Sequence, residues 1–206
     1  MSSHALTAAI GWLAVVVSLV STWSQWRRVS QDGVEGVSLA TWSLFVMMGG
    51  FWITYGVVAR SWPVVLGSLV VMPLQLAILV RLAWWRDWRT IGWSFGLFAL
   101  TCLMPAIIGG WSMGVYGIGL AMSLTRVPQV VELVRTPDAS GVSTASWSLG
   151  ALGSVLWVAY YDGDHLWAAL VATCAAGVAN VTIATLAAWR HRQMRRALIG
   201  DEVFAF

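Results

Sequence analysis

The chain has no lysine, only two cysteines and few charged side chains of either sign. Charged residues make up 10% of its 206 residues and hydrophobic residues make up 59%, and the mean hydropathy is +0.75. One soluble core in a chain of this length cannot bury so much apolar surface. The composition therefore predicts an integral membrane protein.

The sequence also lacks the usual signatures of catalysis and of energy coupling. It contains no glycine-rich phosphate loop, no nucleophile elbow and no metal-ligand cluster, so neither ATP-driven transport nor hydrolytic chemistry is expected. Cys102 and Cys174 lie in different apolar segments without metal-ligand spacing, which argues against a disulfide and against a zinc site. We therefore expect no enzymatic activity, no metal and no cofactor.

Histidine and carboxylate side chains are scarce within the apolar segments. His4 and His191 lie near the two ends of the chain and His165 lies between two apolar segments, so none of them falls where a proton relay across the membrane needs a carrier. This pattern favours facilitated diffusion over proton-coupled transport. A titrating Glu132 is the alternative that the sequence leaves open.

Long apolar segments predict seven membrane-spanning helices. Each segment approaches or exceeds the roughly 20 residues needed to cross about 30 Å of hydrocarbon. The N-terminal segment has no basic region ahead of it and no small-residue cleavage site, so we expect it to be the first span and not a removable signal peptide. The predicted spans are Leu6–Trp26, Leu39–Ala59, Trp62–Trp85, Ile91–Trp111, Met113–Val134, Thr144–Tyr161 and Leu166–Trp189.

The placement of arginine predicts the orientation. All twelve basic residues are arginine. If the N-terminus is outside, eleven of them fall in the segments at the cytoplasmic side, and only Arg60 falls in an outer loop. This asymmetry follows the positive-inside rule and predicts an outside N-terminus and a cytoplasmic C-terminus. The absence of lysine indicates a bacterial source, so the expected location is a bacterial plasma membrane. The arginine asymmetry also explains the net charge of +3, so a nucleic-acid partner is not expected. The basic stretch RHRQMRR at 190–196 is expected to contact lipid headgroups.

The chain repeats itself after 105 residues. With this shift, GVSLATWSL at 36–44 aligns with GVSTASWSL at 141–149, and FWITY at 51–55 aligns with LWVAY at 156–160. The match extends to Trp84, and with a one-residue slip Ser24-Gln25 aligns with Pro128-Gln129. Internal repeats in carriers usually frame the substrate path.

The repeats predict an all-α protein with a 3+1+3 plan. Three spans form each repeat, and a fourth, unpaired helix between them turns the chain so that both repeats enter from the same side. We expect two parallel three-helix bundles around an axis along the membrane normal, with a cavity where they meet. The predicted units are a first repeat at 1–89, a linker helix at 90–112, a second repeat at 113–192 and a cytoplasmic tail at 193–206.

Pro-Gln at a helix end, followed by a short SGVS-type loop and a Trp-rich helix, resembles the PQ-loop superfamily. Together with the 3+1+3 plan the chain is most similar to the SWEET and SemiSWEET sugar transporters, from about Val17 to Trp189. The resemblance implies hinges at the helix ends and a sugar site between the bundles. The gate or hinge residues are then Gln25, Pro128, Gln129 and Arg126, and the substrate-binding residues are Trp52, Trp157, Tyr55, Tyr160, Ser68, Thr173, Gln75 and Asn180.

The chain departs from the family pattern at the third helix of each repeat. The asparagine that the family places there falls on Ser68 and Thr173, and the nearest amides are Gln75 and Asn180, two turns further along. Ser24 also replaces the proline of the first Pro-Gln pair. Because Pro128 lacks an N–H and leaves a carbonyl near Leu124 without its helical donor, we expect the second repeat to bend more sharply than the first.

Arg126 has two interpretations. It either extends towards the membrane surface and packs against helix carbonyls, or it faces the cavity and binds a carboxylate. The leading functional prediction is an alternating-access uniporter for a mono- or disaccharide, because indole walls and uncharged amides suit a sugar. The alternatives are a carrier of another solute, such as an amino acid or vitamin-like carboxylate, and a non-transporting membrane receptor. The oligomeric state is left open.

Overall fold

A computed structural model of the chain describes residues 3–203, except for the side chains at 3, 84, 112, 115, 118–120, 122 and 198–203. All regular elements within that range are helical. A short 3₁₀ turn at Trp84–Arg86 precedes α4, and a π-helical turn at Ala99–Leu103 joins α4 to α5. The helices are α1 (Ser3–Asp32), α2 (Leu39–Val58), α3 (Trp62–Arg81), α4 (Trp88–Phe98), α5 (Met104–Leu124), α6 (Val127–Arg135), α7 (Thr144–Gly163) and α8 (Trp167–Val203).

Five helical segments of the described range are long and apolar enough to cross a membrane, so the protein is a multi-pass integral membrane protein. The predicted fifth and sixth spans do not qualify. The fifth is interrupted by the break between α5, which ends at Leu124, and α6, which begins at Val127, and several of its side chains lie outside the described ones. A kink at Gly110, where φ is 73° and ψ is −176°, lies within the predicted fourth span. The sixth, α7, carries serine, glycine and aspartate along its length and is therefore less apolar. The five segments are His4–Asp32, Leu39–Val58, Trp62–Arg81, Trp88–Trp111 and Trp167–Ala197.

The helix bounds repeat with the same 105-residue shift as the sequence. Helix α2 begins at 39 and ends at 58, and α7 begins at 144 and ends at 163; α3 begins at 62 and α8 at 167. The caps repeat as well: Ser38 Oγ accepts a hydrogen bond from Thr41 N at 3.3 Å, and Ser143 Oγ accepts one from Ser146 N at 3.1 Å. The local signals that start each helix are thus part of the repeated sequence.

The first helices of the two repeats differ in continuity. Helix α1 runs unbroken through Ser24-Gln25, whereas α5 ends at Leu124 and α6 begins at Val127, with Pro128 in its first turn. Proline cannot supply the N–H that would continue the helix from Leu124, so the chain turns there. The expected sharper bend of the second repeat is present.

The third helix of each repeat packs against the other two. Helix α3 contacts α1 and α2, and α8 contacts α7 as well as α5 and α6. The repeats meet along α1 and α7, and α2 also contacts α4 and α6. One core cluster lies around Phe51 and Tyr161, and a second lies around Trp42 and Trp147, near the loops at 33–38 and 136–143.

Two helix ends outside the apolar core are stabilised by polar side chains. Asp87 caps α4, and hydrogen bonds from the hydroxyl and N–H of Thr90 hold the pKa of the Asp87 carboxyl below its usual range. Arg190 donates to the carbonyls of Leu133 and Val134 at 2.9 and 2.6 Å, at the C-terminal end of α6. The predicted tail from 193 begins inside α8, and its residues 204–206 lie outside the described range, as does the side chain of Trp84.

Candidate functional site

A cavity of about 230 Å³ lies between the two repeats. Its walls come from α1, α2, α3, α7, α8 and the turn before α6. Among the predicted site residues, the ones that line it are Trp52, Trp157, Ser68, Thr173, Gln75, Asn180 and Arg126. The predicted residues that lie outside its lining are Tyr55, Tyr160, Gln25, Pro128 and Gln129.

The lining residues fall into pairs that are related by the repeat. Adding 105 to Trp52, Ser68 and Gln75 gives Trp157, Thr173 and Asn180. One member of each pair therefore comes from each repeat, and the site lies at the interface where the repeats meet.

An aromatic stack forms one end of the cavity. Tyr161 lies between the two tryptophans, with ring centroids 6.3 Å from Trp52 and 5.5 Å from Trp157 and interplanar angles of 10° and 22°. Sequence reasoning missed Tyr161, because its repeat counterpart is Gly56 and the motif comparison selected the neighbouring Tyr160. The two indoles thus face Tyr161, and not each other.

Tyr55 and Tyr160 pack behind this stack. Tyr55 meets the Trp52 ring edge-on at 5.6 Å, and the Tyr160 hydroxyl is 2.8 Å from Ser61 Oγ. Ser61 lies in the loop between α2 and α3, at the end of the molecule that we call the tyrosine end (loops 59–61 and 164–166). Both tyrosines therefore contribute to closing this end and not to the cavity wall.

Arg126 forms the charged part of the wall. Its Nε donates to Asn180 Oδ1 at 2.7 Å, and its guanidinium carbon lies 5.3 Å from the centre of the Phe45 ring. Asn180 Nδ2 in turn donates to Ser154 Oγ at 3.2 Å. The side chain is 9% exposed, so it faces the cavity between the repeats and does not extend to the membrane surface.

Hydroxyl groups supply much of the remaining polarity. Ser18 Oγ accepts from Trp157 Nε1 at 3.1 Å, which fixes the orientation of that indole. Thr173 donates to the carbonyl of Ala169 in its own helix at 2.7 Å, so in this conformation its hydroxyl proton is used within α8. The wall combines aromatic faces with neutral hydrogen-bonding groups and one guanidinium.

Gln25 and Gln129 form a reciprocal clamp between the repeats. Gln25 Nε2 donates to Gly141 O at 2.7 Å and Gln25 Oε1 accepts from Ser143 N at 2.9 Å. Gln129 Nε2 donates to Gly36 O at 2.6 Å and Gln129 Oε1 accepts from Ser38 N at 2.9 Å. Each glutamine therefore binds the loop of the other repeat in the same way. We call this end, with loops 33–38 and 136–143, the glutamine end.

The two loops cross in close contact at the glutamine end. Gly141 N donates to Glu35 O at 3.1 Å. A Cβ at Gly141 would lie 2.6 Å from Gly33 O and 2.8 Å from Val34 C, and a Cβ at Gly36 would lie 3.0 Å from Ala139 Cα. Gly36 also has a φ of 75°, which disfavours other residues. The paired glycines of the SGVS-type motif are required because the loop backbones touch.

We expect Gly141→Ala to destabilise the protein by about 1–3 kcal/mol, because backbone atoms of the facing loop block the new methyl group. Thermal unfolding of the detergent-solubilised protein, followed by tryptophan fluorescence, measures the change. Gly50→Ala is the matched control: no atom lies within 4 Å of its Cβ position, and the helical glycine gains propensity from alanine. Equal unfolding midpoints for the two variants would contradict close packing of the loops.

Comparison of the chain with models of protein families, with curated proteins and with solved structures gave no match. Within the described residues there is also no group of three or more histidine, cysteine, aspartate or glutamate side chains that could hold a metal ion. The described wall of the cavity presents aromatic faces, neutral hydrogen-bonding groups and one guanidinium.

Proposed function

We propose that the chain is a SWEET-like alternating-access uniporter for a small sugar-like solute. The observation that carries the proposal is the cavity between the repeats, whose wall contains the repeat-related pairs Trp52/Trp157, Ser68/Thr173 and Gln75/Asn180. Aromatic faces suit the C–H surfaces of a sugar, and hydroxyl and amide groups suit its hydroxyls. A volume of about 230 Å³ is below the about 300 Å³ of the smallest sites for drug-sized ligands, which favours a monosaccharide over a disaccharide.

The proposed architecture has seven spans in a 3+1+3 plan. Support comes from the helix bounds, which repeat after 105 residues, and from the reciprocal clamp, which brings the equivalent loops of both repeats to the same end. Helix α4 and the π-helical turn then form the linker that keeps the repeats parallel. In this arrangement α7 spans the membrane against α1 and α8, where its serine and glycine residues allow close packing.

The transport cycle exchanges closure at one end for closure at the other. At the glutamine end, which we place in the cytoplasm from the arginine distribution, the clamp and the crossed loops close the path. At the tyrosine end, the Trp52–Tyr161–Trp157 stack and the contact between Tyr160 and Ser61 do so. Rocking of the repeats about their axis, with the break before α6 as hinge, would open one end at a time.

Counterflow of a labelled monosaccharide into proteoliposomes tests the proposal. We expect flux that a proton ionophore leaves unchanged and that Trp157→Ala lowers about 30-fold, since truncating a central aromatic contact costs about 2 kcal/mol of binding. Trp93→Ala is the matched control, because Trp93 lies on α4 and is 82% exposed. Equal loss in both variants would show that the effect is not specific to the cavity.

A non-transporting receptor gives the opposite result. Such a protein would bind a solute from one side and would show no counterflow for any member of a panel of sugars and amino acids. That outcome would overturn the carrier proposal.

The second candidate function, transport of a carboxylated solute, is favoured by the presence of Arg126 in the wall.

A further inference from the structure

We propose that the solute is a monocarboxylate of sugar size, such as a sugar acid, with its carboxylate at Arg126 and its carbon skeleton against the aromatic stack. This inference rests on the proposed carrier function and names the substrate class of the same cavity. It combines three observations: a buried guanidinium in the wall, the neutral groups that orient it, and its position along the cavity relative to Trp157.

Arg126 is held in place by groups from several elements. Asn180 on α8 accepts from its Nε, Phe45 on α2 lies against its guanidinium, and Ser154 on α7 accepts from Asn180 Nδ2. These contacts come from both repeats, so the cation is positioned at their interface. A side chain anchored in this way is preorganised for an anion and is not a mobile surface arginine.

The charge belongs to one repeat alone. With the one-residue slip that aligns Gln25 with Gln129, the counterpart of Arg126 is Thr22, whose hydroxyl donates to Ser18 O in its own helix at 3.1 Å. The tryptophans Trp52 and Trp157 and the amides Gln75 and Asn180 have repeat partners of the same type, but the guanidinium does not. A solute that fits this wall therefore carries its negative charge at one end.

A single carboxylate matches the charge and shape of this site better than a phosphate. Asn180 and Phe45, which contact Arg126 from other elements, are both neutral. A planar guanidinium pairs with a planar carboxylate through parallel hydrogen bonds. The second negative charge of a phosphate monoester would be transferred from water to the cavity without a second cation in the described lining, which is costly.

The spacing of two lining residues along α8 fits a six-carbon acid. Asn180, beside Arg126, and Thr173, near the aromatic end, are seven residues apart on α8, which is about 10 Å at the helical rise of about 1.5 Å per residue. A hexuronate that reaches from the guanidinium to the stack occupies this length. Its hydroxyls then lie among Ser18, Ser154 and Thr173.

Proteoliposomes that contain the full chain test the inference with three solutes that share one ring: glucose, glucuronate and glucose 6-phosphate. We expect counterflow of glucuronate to exceed that of the other two. Because uniport of a monoanion moves one charge, an inside-positive potassium diffusion potential of about 100 mV should raise glucuronate accumulation by up to about 50-fold and leave glucose unchanged.

Variants at position 126 separate recognition from folding. Arg126→Gln removes the charged partner of the carboxylate and should lower glucuronate counterflow about 10- to 150-fold. Arg126→Lys keeps the charge but cannot form the planar pair with a carboxylate. Its glucuronate counterflow should lie between that of the unsubstituted protein and that of Arg126→Gln. Arg135→Gln is the matched control, since Arg135 lies exposed on the same segment and should leave counterflow within about twofold.

Each outcome bears on one of the two proposals. Faster counterflow of glucose or of glucose 6-phosphate than of glucuronate by the unsubstituted protein overturns the monocarboxylate inference and leaves the carrier function standing. Quenching of tryptophan fluorescence by glucuronate, lost in Arg126→Gln but without flux, supports the anion site and overturns the carrier. Neither quenching nor flux with any of the three solutes overturns both.

Discussion

Replacing Gln25 and Gln129 with methionine is expected to open the glutamine end of the cavity. Both glutamine side chains are 1% exposed, and each makes two hydrogen bonds to the loop of the other repeat. Methionine keeps the length and volume of glutamine but leaves the carbonyls of Gly36 and Gly141 and the N–H groups of Ser38 and Ser143 without these partners.

The free energy involved is large enough to change the population of the closed state. A buried polar group that loses its partner costs about 1–3 kcal/mol, and water satisfies these groups when the loops separate. One such cost shifts an equilibrium about 5- to 150-fold towards the open form. Both glutamines hold the same end closed. The double variant should therefore shift the equilibrium further towards the open form than either single variant does.

A cysteine at Thr22 reports on this opening. Thr22 lines the cavity one turn from Gln25 and is buried in the closed form. In a background with Cys102→Ala and Cys174→Ala, Thr22→Cys should react slowly with a membrane-impermeant thiol reagent, and the methionine variants should react at least about tenfold faster from the glutamine end.

Gln31→Met is the matched control for the clamp. Gln31 is exposed on α1 and accepts a hydrogen bond from Arg27 Nε within the same helix, so replacing Gln31 should leave the reaction rate unchanged. Equal reactivity of the clamp variants and this control would show that the glutamines do not hold the glutamine end closed. Faster reaction from the tyrosine end alone would contradict the assigned position of the gate.

Truncation of Tyr161 is expected to destabilise the protein and enlarge the cavity. The ring is buried between two indoles, and removing a large buried aromatic side chain costs about 3–5 kcal/mol. Tyr161→Ala should therefore lower the thermal unfolding midpoint by several degrees. Because the two tryptophans would then face an empty space, it should also raise counterflow of a disaccharide relative to a monosaccharide.

Two further variants distinguish the effect of losing the Tyr161 ring from the effect of replacing any tyrosine. Tyr161→Phe keeps the stack and should retain most of the stability. Tyr116→Ala removes a tyrosine that is 70% exposed on α5 and should change neither the unfolding midpoint nor the solute preference. A preference for larger solutes in Tyr116→Ala as well would show that Tyr161 does not set the size of the cavity.

Much of the wall could be predicted because the repeat is visible in the sequence. The pairs Trp52/Trp157, Ser68/Thr173 and Gln75/Asn180 follow from a single shift, and both members of each pair line the cavity. Tyr161 could not be found in this way, because Gly56 stands at its repeat position. A cavity residue without an equivalent in the other repeat cannot be identified by comparing the two repeats.

The position of Arg126 also needed the folded chain. Its sequence position, two residues before Pro128, allowed either a cavity-facing or a surface-directed side chain. The choice depends on the turn before α6, which directs the side chain towards Asn180 and Phe45 on other elements. Those partners are 54 and 81 residues away in the chain, so no local pattern identifies them.

The sequence by itself determined the membrane class, the all-helical fold, the repeat, and the break at the second Pro-Gln pair, because hydropathy, caps and a missing proline N–H act locally. Only the tertiary structure decided that the glutamines bind the opposite repeat, that Tyr161 separates the indoles and that Arg126 faces the cavity. These features depend on how the two repeats meet. Contacts of that kind are set by packing across the interface, and the sequence pattern of neither repeat specifies them.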